Sequence, residues 1–67
     1  MKAPVDHAAM AQRYSEWAQQ QIERAKWTYN AKARSDRLAL AEYYSQLAER
    51  EWVAAKLLFE IKSSQAA

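Results

Sequence analysis

Apolar positions along this chain follow the helical beat in two runs. Met10, Ala11, Tyr14, Trp17, Ala18, Ile22, Ala25 and Tyr29 fall at steps close to three or four, which keeps them on one face of an α-helix. Leu40, Ala41, Tyr44, Leu47, Ala48, Trp52, Ala55, Leu58 and Phe59 do the same further on. Inside each run alanine returns at every seventh residue, as Ala11, Ala18 and Ala25 and again as Ala41, Ala48 and Ala55. Residues 11–29 and 41–59 align without a gap at an offset of 30, matching Tyr14 with Tyr44, Ser15 with Ser45 and Lys26 with Lys56 besides the alanines. Such a repeat fixes the architecture early: one amphipathic helix, written twice.

The pattern predicts an all-α, antiparallel two-helix hairpin with an alanine-lined seam. The first helix is expected over about 4–29, the turn over 30–36, the second helix over 36–62 and a frayed tail over 63–67. Pro4 and Asp6 suit a helix start, the one in the first turn and the other at the positive end of the helix dipole. Asn30 suits a left-handed helix end, and Ser35 or Asp36 suits the next cap. A fold-back near residue 33 sets Ala11 against Ala55, Ala18 against Ala48 and Ala25 against Ala41. It also sets Tyr14 against Glu51 and Gln21 against Tyr44. Alanine at each seventh position lets helices approach closer than the usual ~8–10 Å. In this it resembles the alanine-lined antiparallel coiled coil, a packing motif.

Bulky residues flank that seam: Met10, Trp17, Leu40 and Leu47 on one edge, Ile22, Tyr29, Trp52 and Phe59 on the other. The second helix adds Tyr43, Val53, Ala54, Leu57 and Ile61 on its far side. One partner helix cannot cover so wide an arc. A homodimer forming a four-helix bundle is therefore expected. In length and layout the chain resembles the plasmid-encoded ROP family of dimeric helical hairpins, which bind RNA. No motif of that family is matched residue by residue, so the likeness implies no function for this chain.

Composition narrows the function classes. The chain has 67 residues, enough for one domain, with no glycine and a single proline. It has no cysteine, which excludes disulfides and thiolate chemistry. No run approaches the ~18 apolar residues of a membrane span, and no signal-peptide pattern opens it. A cytoplasmic, complete small gene product is the expectation, with no membrane partner. Ten Lys and Arg against eight Asp and Glu make the chain only slightly basic.

No catalytic, cofactor-binding or metal-ligating set stands out, and the chain is expected not to be an enzyme. His7 is the one histidine and reads as a residue at the seam's end. Glu51 is the only acid on the seam and reads as a hydrogen-bonded specificity element. Two candidate surfaces remain. Trp27 falls off the apolar stripe beside Arg24 and Lys26, which together make the composition of a binding hot spot. Tyr43, Val53 and Leu57 raise the same question on the second helix. Arg24, Lys26, Lys32, Arg34 and Arg37 crowd the turn end and could contact phosphate or an acidic protein. The expected function is a homo-oligomeric protein-interaction module, an adaptor, inhibitor or regulator of phage or plasmid type. The alternatives are an RNA- or DNA-binding hairpin using the basic turn end, and a purely structural self-assembling unit.

Overall fold

The computed structural model describes residues 6–65 and shows a helical hairpin. Helix α1 spans His7–Lys26 and helix α2 spans Ala31–Gln65. Asp6 caps α1: its carboxylate accepts the Ala9 N–H at 3.0 Å and its carbonyl accepts the Met10 N–H at 3.0 Å. These bonds satisfy amide donors that the first turn leaves without partners. The expected start at Pro4 or Val5 lies outside the described residues.

The turn comes earlier than the spacing predicts. Helix α1 stops at Lys26. The Trp27 N–H closes back on the Arg24 carbonyl at 3.2 Å, the Thr28 N–H on the Ala25 carbonyl at 3.2 Å, and the Thr28 hydroxyl on the Arg24 carbonyl at 2.7 Å. Asn30 then starts α2, and does not end α1. Its side-chain oxygen accepts the Ala33 N–H at 3.0 Å and its carbonyl accepts the Arg34 N–H at 2.9 Å. None of the described residues has a positive φ, so no left-handed cap is used. Ser35 and Asp36, the expected caps, lie inside α2. The physical reason is local. An asparagine caps a helix as well as serine or aspartate does, and Ala31-Lys32-Ala33-Arg34 behind it are good helix formers. At the far end α2 runs on through Ser63 and Ser64 to Gln65, where fraying was expected. Ala66 and Ala67 lie outside the described residues.

The early turn changes the register of the seam. His7 Nδ1 pairs with Glu51 Oε2, and Arg37 Nη1 donates to Gln21 Oε1 at 3.3 Å. In both pairs the residue numbers add to 58, against 65 for the pairs expected at those positions. The alanines therefore meet one heptad away from their predicted partners. That register sets Ala11 opposite Ala48, Ala18 opposite Ala41 and Ala25 against the first turn of α2. Glu51 meets His7 in place of Tyr14, and Gln21 meets Arg37 in place of Tyr44. Ala11, Ala18, Ala25, Ala41 and Ala48 are each at most 4% exposed and form the core among the described residues. Ala55, predicted to face Ala11, is only half-buried.

Above the seam the aromatic rings pack edge to face. Trp17 meets Tyr14 with centroids 5.6 Å apart and Tyr44 at 5.5 Å, and Tyr43 tilts against Tyr44 at 6.0 Å. Such contacts add ~0.5–1.5 kcal/mol each beyond the area they bury. They fasten one edge of a seam whose buried residues offer only methyl groups.

The two helices differ greatly in length. At 1.5 Å per residue α1 is about 30 Å long and α2 about 52 Å, and the longest dimension of the hairpin is 56 Å. Since His7 stands beside Glu51, α2 continues for roughly four turns past the start of α1. Trp52, Val53, Leu57, Leu58, Phe59 and Ile61 in that overhang are all about half or more exposed.

Candidate functional site

The sequence-derived candidates are spread along the hairpin, most of them near its two ends. Arg24, Lys26 and Trp27 belong to the end of α1 and its cap. Val53 and Leu57 lie on the overhang of α2, past Glu51, and Tyr43 lies midway along α2. The axial separation between Trp27 and the level of His7 is roughly 30 Å. These residues do not make one site.

The turn tip gathers aromatic rings and cations. Trp27 is 78% exposed, and Tyr29, expected in the core, is 100% exposed. Tyr29 leaves the stripe because α1 ends at Lys26, so its helical phase is never realised. Around the rings stand Arg24, Lys26, Lys32 and Arg34, all exposed. The Arg34 guanidinium donates to the Tyr29 carbonyl at 3.3 Å and so ties the tip to the first turn of α2. Lys26 pairs with Glu23 at 3.2 Å. The Lys26 ammonium first, and then the Trp27 indole, hold the Glu23 carboxyl below the ordinary glutamate range. Arg37, the fifth cation of the predicted cluster, is drawn away: it is half-buried and bonded to Gln21 on the seam. The tip therefore presents four of the five expected cations and one more aromatic ring than expected.

This arrangement has the physical character of a contact surface. Indole and phenol rings offer large rigid areas at low entropic cost. Guanidinium and ammonium groups beside them can meet carboxylates or phosphates. The tip has no wall to enclose a small molecule. The grooves of the hairpin lie elsewhere; one, of about 310 Å³, runs beside the seam over Ser15, Ala18, Ser45 and Ala48 and is wide open.

His7 and Glu51 form a carboxylate–histidine pair, a juxtaposition that the predicted register did not contain. Both side chains are about one-quarter exposed. The pair clasps the open end of the seam, and neither residue lines the grooves described above. Among the described residues no group of three or more His, Asp or Glu side chains could hold a metal ion. No helix among them is long and apolar enough to cross a membrane.

The second surface is the overhang of α2, whose sequence-derived candidates are Val53 and Leu57. Phe59 is 72% exposed there, and Trp52, Leu58 and Ile61 flank it at about half exposure. The signal that identifies them is the unequal length of the two helices. That becomes visible only once Asn30 is recognised as a helix start. Compared with protein-family models, with curated proteins and with solved structures, the chain matches none.

Proposed function

We propose that this chain is a small, non-enzymatic, homo-oligomeric protein-interaction module, an adaptor, inhibitor or regulator that grips a partner with its turn tip. The observation that carries the proposal is Trp27, 78% exposed at the cap of α1 with Arg24 beside it. The hairpin does not use this ring in its core. An indole left in water forgoes ~1.5–3 kcal/mol of burial, and tryptophan and arginine are the residues most often found at binding hot spots. The matching partner surface is an apolar pocket with acidic groups at its rim.

A second reading is favoured by Tyr29. A fully exposed tyrosine next to an exposed tryptophan, with Arg24, Lys32 and Arg34 around them, is also a combination that stacks single-stranded nucleic acid. The purely structural alternative leaves both rings without a task. Homo-oligomerisation belongs to the proposal as well, because the apolar arc of α2 exceeds what α1 covers. A second hairpin laid face to face, giving a four-helix bundle, is one way to cover it.

Trp27→Ala tests the proposed grip. Capture of a protein partner should weaken about tenfold, equivalent to ~1.4 kcal/mol, while helicity and oligomeric mass stay unchanged. Salt separates the two partner classes. Phosphate contacts made by several cations weaken steeply between low and physiological salt, whereas contact through apolar rings holds. Unchanged capture by the alanine variant would remove the tip from the functional surface.

A further inference from the structure

We infer that the overhang of α2, Trp52 to Gln65, docks on the same segment of a second copy of this chain, antiparallel and centred on Leu58. This rests on the homo-oligomeric part of the proposal above and says where the second copy sits.

Four observations choose that occupant. First, the hairpin is already this pattern packed on itself, since residues 41–59 repeat residues 11–29 at an offset of 30. The overhang carries the seam onward, with Ala55 on the alanine beat and Leu58 on the beat of Tyr44 and Glu51. What covers the first half of α2 is a helix of the same design, running antiparallel.

Second, the register closes. In the hairpin the His7–Glu51 and Gln21–Arg37 pairs have numbers adding to 58, a register that brings alanines whose numbers add to 59 opposite one another. If two overhangs overlap fully, Trp52 of one copy lies level with Gln65 of the other. The same phasing then sets Ala55 opposite the partner's Lys62, Leu58 opposite its own copy, and Phe59 beside its own copy. A closer overlap would drive the partner's helix into the start of α1 at His7. The length of the overhang and the phase of its seam therefore select one register.

Third, charge suits the antiparallel direction. Lys62 of one copy comes to rest between Ala55 and Glu51 of the other, and two-fold symmetry repeats the contact. The small alanine leaves room for the lysine stem, and Glu51 supplies an opposite charge. A parallel pairing would face Lys62 with Lys62.

Fourth, the large apolar side chains of that face adjoin one another. Trp52 at 50% and Phe59 at 72% exposure leave on the order of 250 Å² between them, from the ~150–250 Å² that each aromatic side chain carries. Leu58, 46% exposed, lies between them on the same face, while Val53, Leu57 and Ile61 lie on the far side and stay outside this contact. With Ala55 and the stem of Lys62, the residues Trp52, Leu58 and Phe59 make one contiguous patch, smaller than the ~800 Å² per partner of a standard interface but larger than a singly scattered surface residue exposes.

The paired form is long. It is a rod of about 80 Å, from two helices of 1.5 Å per residue overlapped over four turns, with a turn tip bearing Trp27 at each end. Because the chain has no cysteine, Leu58→Cys gives a clean probe of the two-fold contact. On mild oxidation this variant should form a disulfide-linked dimer, whereas Ala39→Cys, on the exposed middle of α2, should not. Small-angle scattering of the unmodified protein should give a longest dimension near 80 Å, against 56 Å for one hairpin. Leu58→Asp should raise the dimer dissociation constant at least a hundredfold and leave the circular dichroism of the hairpin in place, since residue 58 lies past the reach of α1. A dimer by mass with a length near 56 Å and no link through residue 58 would overturn the overhang pairing while leaving homo-oligomerisation standing. A monomer at all concentrations, with or without a foreign protein on the overhang, would overturn both.

Discussion

Ala18→Leu should destabilise the hairpin by about 1–3 kcal/mol, the usual cost of forcing extra methylenes into a packed site. Ala18 and Ala41 are each 3% exposed, and the register of the His7–Glu51 and Gln21–Arg37 pairs sets them opposite each other. Methyl groups on both sides let the helices approach closely. A leucine adds three heavy atoms at a site only 3% exposed, so the helices must separate or the side chain must leave its preferred rotamer and turn out into the open groove beside the seam. Separation would also loosen the His7–Glu51 and Gln21–Arg37 bonds that span the seam on either side. In a domain of this size each kcal/mol lowers the melting temperature by about 4–8 °C. Ala39→Leu, on the exposed face of α2, is the control and should change stability by no more than about 0.5 kcal/mol. Thermal melts of the two variants decide the matter. An Ala18→Leu protein as stable as the parent would mean that the helices are not held at alanine distance.

The melting temperature of the unaltered protein should rise with its concentration. Among the described residues the core is five alanines with an aromatic cluster on one edge. Alanine methyls recover little of the conformational entropy that ordering the chain costs. The side chains with the most to gain from burial, Phe59, Trp52 and Ile61 among them, are the exposed ones. If a second copy covers them, association stabilises the folded chain by mass action. A hundredfold rise in concentration is then worth about 2.7 kcal/mol per dimer, on the order of 10 °C for a pair of chains this long. Calorimetry across that range checks it. A melt that does not move with concentration, together with a monomer mass by sedimentation, would contradict the expectation.

Much of the fold can be read from residue types alone. The period of three to four in both apolar runs gives two helices. The seven-residue return of alanine gives the face on which they meet, and five of the six alanines on it are buried. The register cannot be read in the same way, and for a simple reason. Sliding one helix by a heptad replaces each alanine of the seam with another, so the apolar pattern is nearly indifferent to the slip. The tie is broken by polar chemistry at the turn. Asn30 accepts the Ala33 N–H and begins a helix, although asparagine is also common where helices end. Once α2 starts at Ala31, Glu51 comes to His7, Ala55 loses its partner, and Tyr29 is left in the turn. The candidate site follows the same division. Trp27 was conspicuous because it breaks the apolar stripe, and it is exposed. Tyr29 obeyed the stripe on paper and so was hidden by it. Arg37 looked like one more cation at the turn but sits on the seam, where only the true register puts it opposite Gln21.

Where the chain turns decides what remains uncovered, and so underlies both the exposed tip and the overhang. The most direct measurement is therefore disulfide mapping across the seam in a background that has no other cysteine. Ala18→Cys combined with Ala41→Cys should close a bond within one chain on mild oxidation. Ala18→Cys combined with Ala48→Cys should not, because a heptad along α2 displaces the second thiol by about 10 Å, past the ~7 Å limit between bridged Cα atoms. An intrachain bond between residues 18 and 48, with none between 18 and 41, would contradict the early turn at Trp27 to Asn30 and the long uncovered helix that follows from it.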